Sequence, residues 1–268
     1  MKKHILLMLM GLAACSSTDD SIETVTVSSE TVAVGDVPVD VRFDAGTDSV
    51  IYSIGGSTIA TLSRDATLDR GSFDGFQDDP SDDYAFRSVS ASGDSAITVG
   101  AADGSPTILS ATYERINDTA IPVSGATTFT GDYLGLITET GQTELLSVVT
   151  GDMSLTANFG TSMVSGSISN RVVGIIATGA PNGDAATDLA LEATGLDALG
   201  GFSGDASGSA ITAGSGSLYT ITSGRYTGLI SGATADETVG GVVIDYTRSM
   251  GSTGPTGLVE TGGFIATE

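Results

Sequence analysis

Met153 to Ser169 reads MSLTANFGTSMVSGSIS, and this stretch decides the fold. Met153, Leu155, Ala157 and Phe159 alternate with Ser154, Thr156 and Asn158. Gly160-Thr161 supplies a turn, and Val164, Gly166 and Ile168 then alternate with Ser165, Ser167 and Ser169. A strict period of two on both sides of a glycine turn is the mark of a β-hairpin with one buried face.

The same rhythm extends in both directions. Thr128 to Thr138 places Phe129, Tyr133 and Ile137 on one face with Gly131 and Gly135 between them. Downstream, Gly201–Ile211, Leu218–Ile230, Thr238–Thr247 and Leu258–Thr267 read as strands. Leu189–Gly195 reads as a strand or a helical turn, and Val172–Ala177 and Gly179–Asp184 break the alternation. About eight strands therefore fill the C-terminal half. Interior glycines such as Gly131, Gly135, Gly166, Gly204, Gly228, Gly240, Gly241, Gly262 and Gly263 weaken a flat strand, yet they permit the sharp coiling that a closed sheet needs. An eight-stranded antiparallel barrel removes every exposed edge.

Upstream the pattern is also β-like but less regular. Val37, Val39, Val41 and Phe43 alternate with Pro38, Asp40 and Arg42. Val50–Ile54, Thr58–Leu62, Phe86–Ser90, Ala96–Val99 and Ile108–Tyr113 are further strand candidates. Asp65 to Asp83 reads as a long acidic loop pinned by Phe73 and Phe76. The fold class expected is all-β, with a small β-rich handle at 32–122 and the barrel at 123–268.

The N-terminus carries an address. Met1-Lys2-Lys3-His4 is basic, Ile5 to Leu12 is apolar, and Leu12-Ala13-Ala14-Cys15 follows. A charged start, a short apolar run and small residues make a secretory signal. The run is too short to span a bilayer, which takes about 20 residues. Leu12-Ala13-Ala14-Cys15 resembles the lipobox of bacterial lipoproteins. That resemblance implies cleavage after residue 14, lipid on Cys15, and an outer-membrane anchor, since Ser16 is not aspartate. Cys15 is the only cysteine, so no internal disulfide competes for it. Residues 15–31 are polar and acidic, and read as a flexible tether.

Composition excludes much chemistry. The single histidine and both lysines lie within residues 1–14. The rest of the chain therefore lacks the commonest general base and the amine nucleophile, and its one thiol is assigned to lipid. Zinc, copper and haem sites built on His or Cys are excluded, and no cofactor is expected. No spacing of carboxylates argues for catalysis, so the reading is non-enzymatic. The net charge of −23 repels nucleic acid. Asp78, Asp79, Asp82 and Asp83 form a carboxylate cluster of the type that holds calcium. Their spacing does not match an EF-hand, and a solvated loop is the plainer alternative.

Several segments together resemble the transferrin-binding protein B family of lipoproteins, nearest its single-lobe solute-binding relatives. They are Tyr133-Leu134-Gly135, Leu155 to Ile168, Gly201-Phe202-Ser203-Gly204, Tyr226-Thr227-Gly228, Ala235 to Gly241 and Gly262 to Ala266. The resemblance covers roughly residues 125–268. It implies an outer-membrane or cell-surface lipoprotein whose barrel binds a protein or a small solute, with an iron source among the candidates; a periplasmic orientation is the other placement. No binding residue of that family carries over onto this sequence. A structural or shielding acidic envelope lipoprotein without a ligand is the alternative. An integral membrane barrel is disfavoured, because one face of most strands is polar and Asp245, Arg248 and Glu260 fall within strand candidates.

Overall fold

The computed structural model describes residues 39–78, 83–102, 108–140, 145–250 and 256–268. Cys15, the tether and the start of the Val37–Phe43 strand lie outside the described residues. Among the described residues no helix is long and apolar enough to cross a membrane.

Seven strands form an N-terminal antiparallel meander: β1 (Val39–Asp44), β2 (Ser49–Ile54), β3 (Ser57–Arg64), β4 (Asp74–Asp78), β5 (Asp83–Val89), β6 (Ser95–Ala102) and β7 (Ile108–Arg115). This is the handle. Its sheet curls until it is nearly closed, with β1 and β7 at the two ends of the strand order among the described residues. The concave face buries Val39, Val41, Val50, Tyr52, Leu62 and Phe76. The expected loop at Asp65–Asp83 is corrected here. A 3₁₀ turn at Ala66–Leu68 leads into β4, which pairs with β5. Polar Asp74, Gln77 and Asp78 hide this strand, because its apolar signal is little more than Phe76. Gly75 lets β4 close over the turn, since a Cβ there would sit 2.3 Å from the Leu68 Cβ.

The chain then crosses at residues 116–125 into the second body, an eight-stranded antiparallel barrel. Its strands are β8 (Ala126–Glu139), β9 (Leu145–Asn158), β10 (Met163–Gly174), β11 (Pro181–Ala186) with β12 (Leu189–Gly195), β13 (Gly201–Ser207) with β14 (Ala210–Thr212), β15 (Leu218–Ser231), β16 (Glu237–Met250) and β17 (Gly257–Thr267). β17 pairs with β8 and closes the ring. β11 and β12 follow one line along β10, and β13 and β14 follow one line along β15. Each is one strand interrupted, at Thr187–Asp188 and at Gly208–Ser209. The Met153–Ser169 hairpin forms in the expected register, with Val164 opposite Ala157 and Ile168 opposite Met153. Two expectations are corrected: β10 continues through Gly174, and Pro181–Ala186 is a strand and not a loop. Leu189–Gly195 is a strand, without a helical turn.

The lumen is filled by side chains. Phe129, Leu155, Phe159, Phe202, Tyr226 and Phe264 belong to one buried cluster. Large rings are accommodated by glycine on the neighbouring strand. Phe202 lies opposite Gly228 and Phe264 opposite Gly240. A Cβ at either glycine would come within 2.5 Å of the facing ring. Interior glycine thus trades strand propensity for space to fit aromatics at native packing density.

The handle docks on the outer wall of β8, β16 and β17. Ile97, Val99, Ala111 and Tyr113 pack against Leu134, Val239, Val243, Val259 and Ile265 in a single cluster. For this reason β17 is buried on both faces. Polar contacts rim the patch: Ser72 N–H donates to Asp132 at 2.8 Å, Arg70 to the Ile176 carbonyl at 2.8 Å, and Arg115 to the Leu199 carbonyl at 2.8 Å.

Candidate functional site

The most heavily built polar centre lies inside the barrel. Arg171 and Glu260 have side chains with no solvent exposure, and their closest N–O distance is 2.5 Å. One guanidinium nitrogen of Arg171 reaches both carboxylate oxygens, at 2.6 and 2.5 Å. The Tyr133 and Tyr246 hydroxyls each donate to Glu260 at 2.8 Å. The other terminal guanidinium nitrogen donates to the Thr187 carbonyl at 2.8 Å and to the Ser209 hydroxyl.

Backbone irregularity puts these groups there. In β10, Val164 and Ile168 point inward, so alternation would next bring Asn170 inward. The register of β10 against β9 shifts between Ser169 and Val172, and Asn170 has a φ of 52°. This bulge inverts the parity, exposing Asn170 and turning Arg171 and Val173 into the lumen. The interruptions at Thr187–Asp188 and Gly208–Ser209 face the same guanidinium. β15 carries its own register shift between Ile221 and Ser223. Four neighbouring lines of strand therefore break step in one belt, and Arg171 satisfies a carbonyl that the break leaves without a ladder partner.

Chemically this centre is a clamp. Burial, then the neighbouring Glu260 charge, pushes the Tyr133 phenol well above its ordinary value of 10.0, and Tyr246 shifts in the same direction for the same reasons. Burial alone would lower the Arg171 value, but Glu260 and the two tyrosines more than offset it. All three groups stay protonated and serve as donors. The stability consequence has a definite sign. A tyrosine held neutral by the fold ionises first in the unfolded chain, so its contribution is complete below pH 10 and is lost as pH rises beyond it. Thermal unfolding followed against pH is expected to show no tyrosine-linked loss from neutrality to about pH 10 and a steep fall above it.

Two accessible hollows flank the handle–barrel junction. The first, of about 550 Å³, runs between β7, the β12–β13 turn and β15, with Phe202, Leu229 and Tyr113 in its wall. Leu199, 65% exposed, stands at its margin, and Asp197 is the charged residue on its rim. The second, of about 410 Å³, is polar and includes Asp69, Arg70, Asp132 and Asp152.

No protein-family model matches the sequence, and no curated protein does. Solved structures of transferrin-binding protein B (TbpB) match this chain. A TbpB double mutant from Haemophilus parasuis Hp5 is 13% identical with a TM-score of 0.43, over 85% of this chain and 44% of that one. Intact Ap-TbpB, with its N and C lobes, is 13% identical with a TM-score of 0.42, over 88% of this chain and 45% of that one. Isotype 1 TbpB from serogroup B Neisseria meningitidis is 12% identical with a TM-score of 0.43, over 89% and 43%. The chain thus spans less than half the length of each of these three TbpB structures.

Of the residues singled out in the sequence, Asp78 and Asp83 face each other across the β4–β5 hairpin, and Asp83 is buried. Asp79 and Asp82 lie outside the described residues. No group of three or more potential metal ligands assembles among the described residues. Glu260 faces the lumen, so it does not bear on the polarity of the outer wall; exposed Asp245 on β16 does. Sequence reading did not find the Arg171–Glu260 pair. The available signal was the lapse in alternation at Asn170, which turns an arginine into a face otherwise apolar.

Proposed function

We propose that this chain is a non-catalytic binding module, tethered through residues 15–31 to lipid on Cys15 and displayed at the outer membrane or cell surface, with a protein or a small solute as its ligand. The observation that carries this reading is the junction groove. The barrel lumen is packed and clamped, so an incoming ligand meets the outside of the molecule, and the groove beside Leu199 offers apolar wall there. A cluster of aromatic and aliphatic wall residues sheltered from water is the anatomy of an energetic anchor site. The net charge of −23 favours a partner with a basic surface. The sequence resemblance makes an iron-carrying protein such as transferrin the first partner to test.

The test is binding of the full chain to immobilised transferrin and to other iron carriers, beside a Leu199→Asp variant. Leu199 is largely exposed, so the variant is expected to melt with the parent, within about 0.5 kcal/mol. At a true anchor it is expected to lose about 2 kcal/mol of affinity, roughly 30-fold. Unchanged affinity in the variant would remove the groove from the binding surface. Failure to hold any protein or solute, together with a deletion strain that loses envelope integrity, would favour the shielding role instead.

A further inference from the structure

The concave face of the handle holds a third hollow, distinct from both junction grooves. It encloses about 210 Å³ beneath β1 and is walled by β5, β6 and β7. Three polar residues form a row across that wall: Arg87 lies opposite Thr98, and Thr98 opposite Thr112. Cross-strand partners on one face stand about 5 Å apart, so their polar ends converge.

Arg87 is unusual in this row. Its side chain is only 13% exposed. Its guanidinium carbon lies 4.2 Å from the centroid of the Phe43 ring. Its ionic contact is Glu114 at 3.8 Å, beyond hydrogen-bond length. A guanidinium resting on a ring keeps its in-plane N–H donors for something else. Thr112 Oγ1 is also buried, and it has no hydrogen-bond partner among the described residues. Unmade hydrogen bonds in a buried wall are costly, and each one requires a reason. The unpartnered Thr112 hydroxyl and the Arg87 fork line the same small space from either side of Thr98.

The charges decide what the space suits. Asp40 and Glu114 line it together with Arg42 and Arg87, so the formal sum is zero. A free inorganic anion would meet two carboxylates and the field of a strongly acidic chain. A ligand carrying both signs on adjacent atoms meets neither difficulty. We infer that the handle cavity is a binding site for a small zwitterion of the α-amino-acid class. The ligand carboxylate accepts from the Arg87 fork and the Thr112 hydroxyl, and the ligand ammonium donates to Glu114. The cavity lies below the range of about 300–1,000 Å³ typical of drug-sized ligands, which fits a small solute.

The experiment is calorimetric titration and thermal shift of the full chain with individual free L-α-amino acids, with propionate, propylamine and inorganic phosphate as controls. At least one amino acid is expected to bind and raise the melting temperature, while the three controls bind at least about 10-fold more weakly, each lacking one charged partner. Thr112→Val is the decisive variant. It removes a hydroxyl that has no partner, so it is expected to fold at least as stably as the parent and to bind about 10-fold more weakly. Arg87→Met is expected to abolish binding. No binding by any amino acid, equal binding by propionate or phosphate, or full affinity in Thr112→Val would each overturn the proposal. Leu199→Asp is expected to leave this binding unchanged, so the result is independent of the junction groove.

Discussion

Glu260→Gln is expected to destabilise the chain by about 3–5 kcal/mol, the loss that follows when one partner of a buried ion pair is removed. The substitution keeps the shape of the side chain and deletes its charge. Arg171 then remains in the lumen with no counter-charge, and an amide must stand in for an oxygen that now accepts from Tyr133, Tyr246 or the guanidinium. For a chain of this size, at about 2 °C per kcal/mol, the fall in melting temperature is about 6–10 °C. The reverse member, Arg171→Met, is expected to cost a similar amount, because it strands Glu260 and frees the Thr187 carbonyl. Combining Arg171→Met with Glu260→Leu is expected to recover part of the loss, since an apolar pair of similar volume often replaces a buried ion pair without penalty. Recovery stays incomplete, because the Tyr133 phenol loses its acceptor and the Thr187 carbonyl its donor, while Tyr246 and Ser209 keep only their 3.1 Å bond to each other. Denaturant unfolding of the four proteins makes a double-mutant cycle. If Glu260→Gln melts with the parent, the clamp does not hold the belt of interrupted strands together.

The fold was legible in the sequence wherever one face of a strand was buried and the other wet. Met153–Phe159 and Val164–Ile168 announce themselves because period-two alternation is a direct image of the pleat. Legibility failed for three physical reasons. β4 is short and buries only Gly75 and Phe76 of its five residues, so its polar residues read as loop. β11 is almost wholly exposed and has no apolar face to display. In β10 and β15 the bulges invert parity mid-strand, so a reader who carries the alternation forward places Asn170 inside and Arg171 outside. The last failure is the informative one: the same bulge that spoils the pattern positions the clamp. The handle cavity was hidden for a different reason. Arg87, Thr98 and Thr112 come from three strands, and only their register reveals that they share a wall.

Interior glycine was the sequence feature that argued for closure, and Gly131 lies at the closing seam. It sits on β8 opposite Ala266 of β17, where the first and last barrel strands meet. A Cβ at this position would fall 2.1 Å from the Ile265 carbonyl oxygen and 2.6 Å from the Ala266 Cα. Both obstacles are backbone, so no rotamer change can clear them; β8 and β17 must separate. Gly131→Ala is therefore expected to cost about 3 kcal/mol, at the upper end of overpacking losses, although alanine is otherwise the better strand residue. Gly160→Ala is the matched control. The nearest atom to its Cβ would be the Asn158 side-chain oxygen at 3.5 Å, in an exposed turn, so its effect is expected within about 0.5 kcal/mol. Amide exchange adds a spatial readout: in Gly131→Ala, protection is expected to fall first along Thr130–Tyr133 and Phe264–Thr267, while the β9–β10 hairpin keeps its own. A variant whose loss is spread evenly over all strands would mean that the barrel does not close at this seam under strain but yields as a whole.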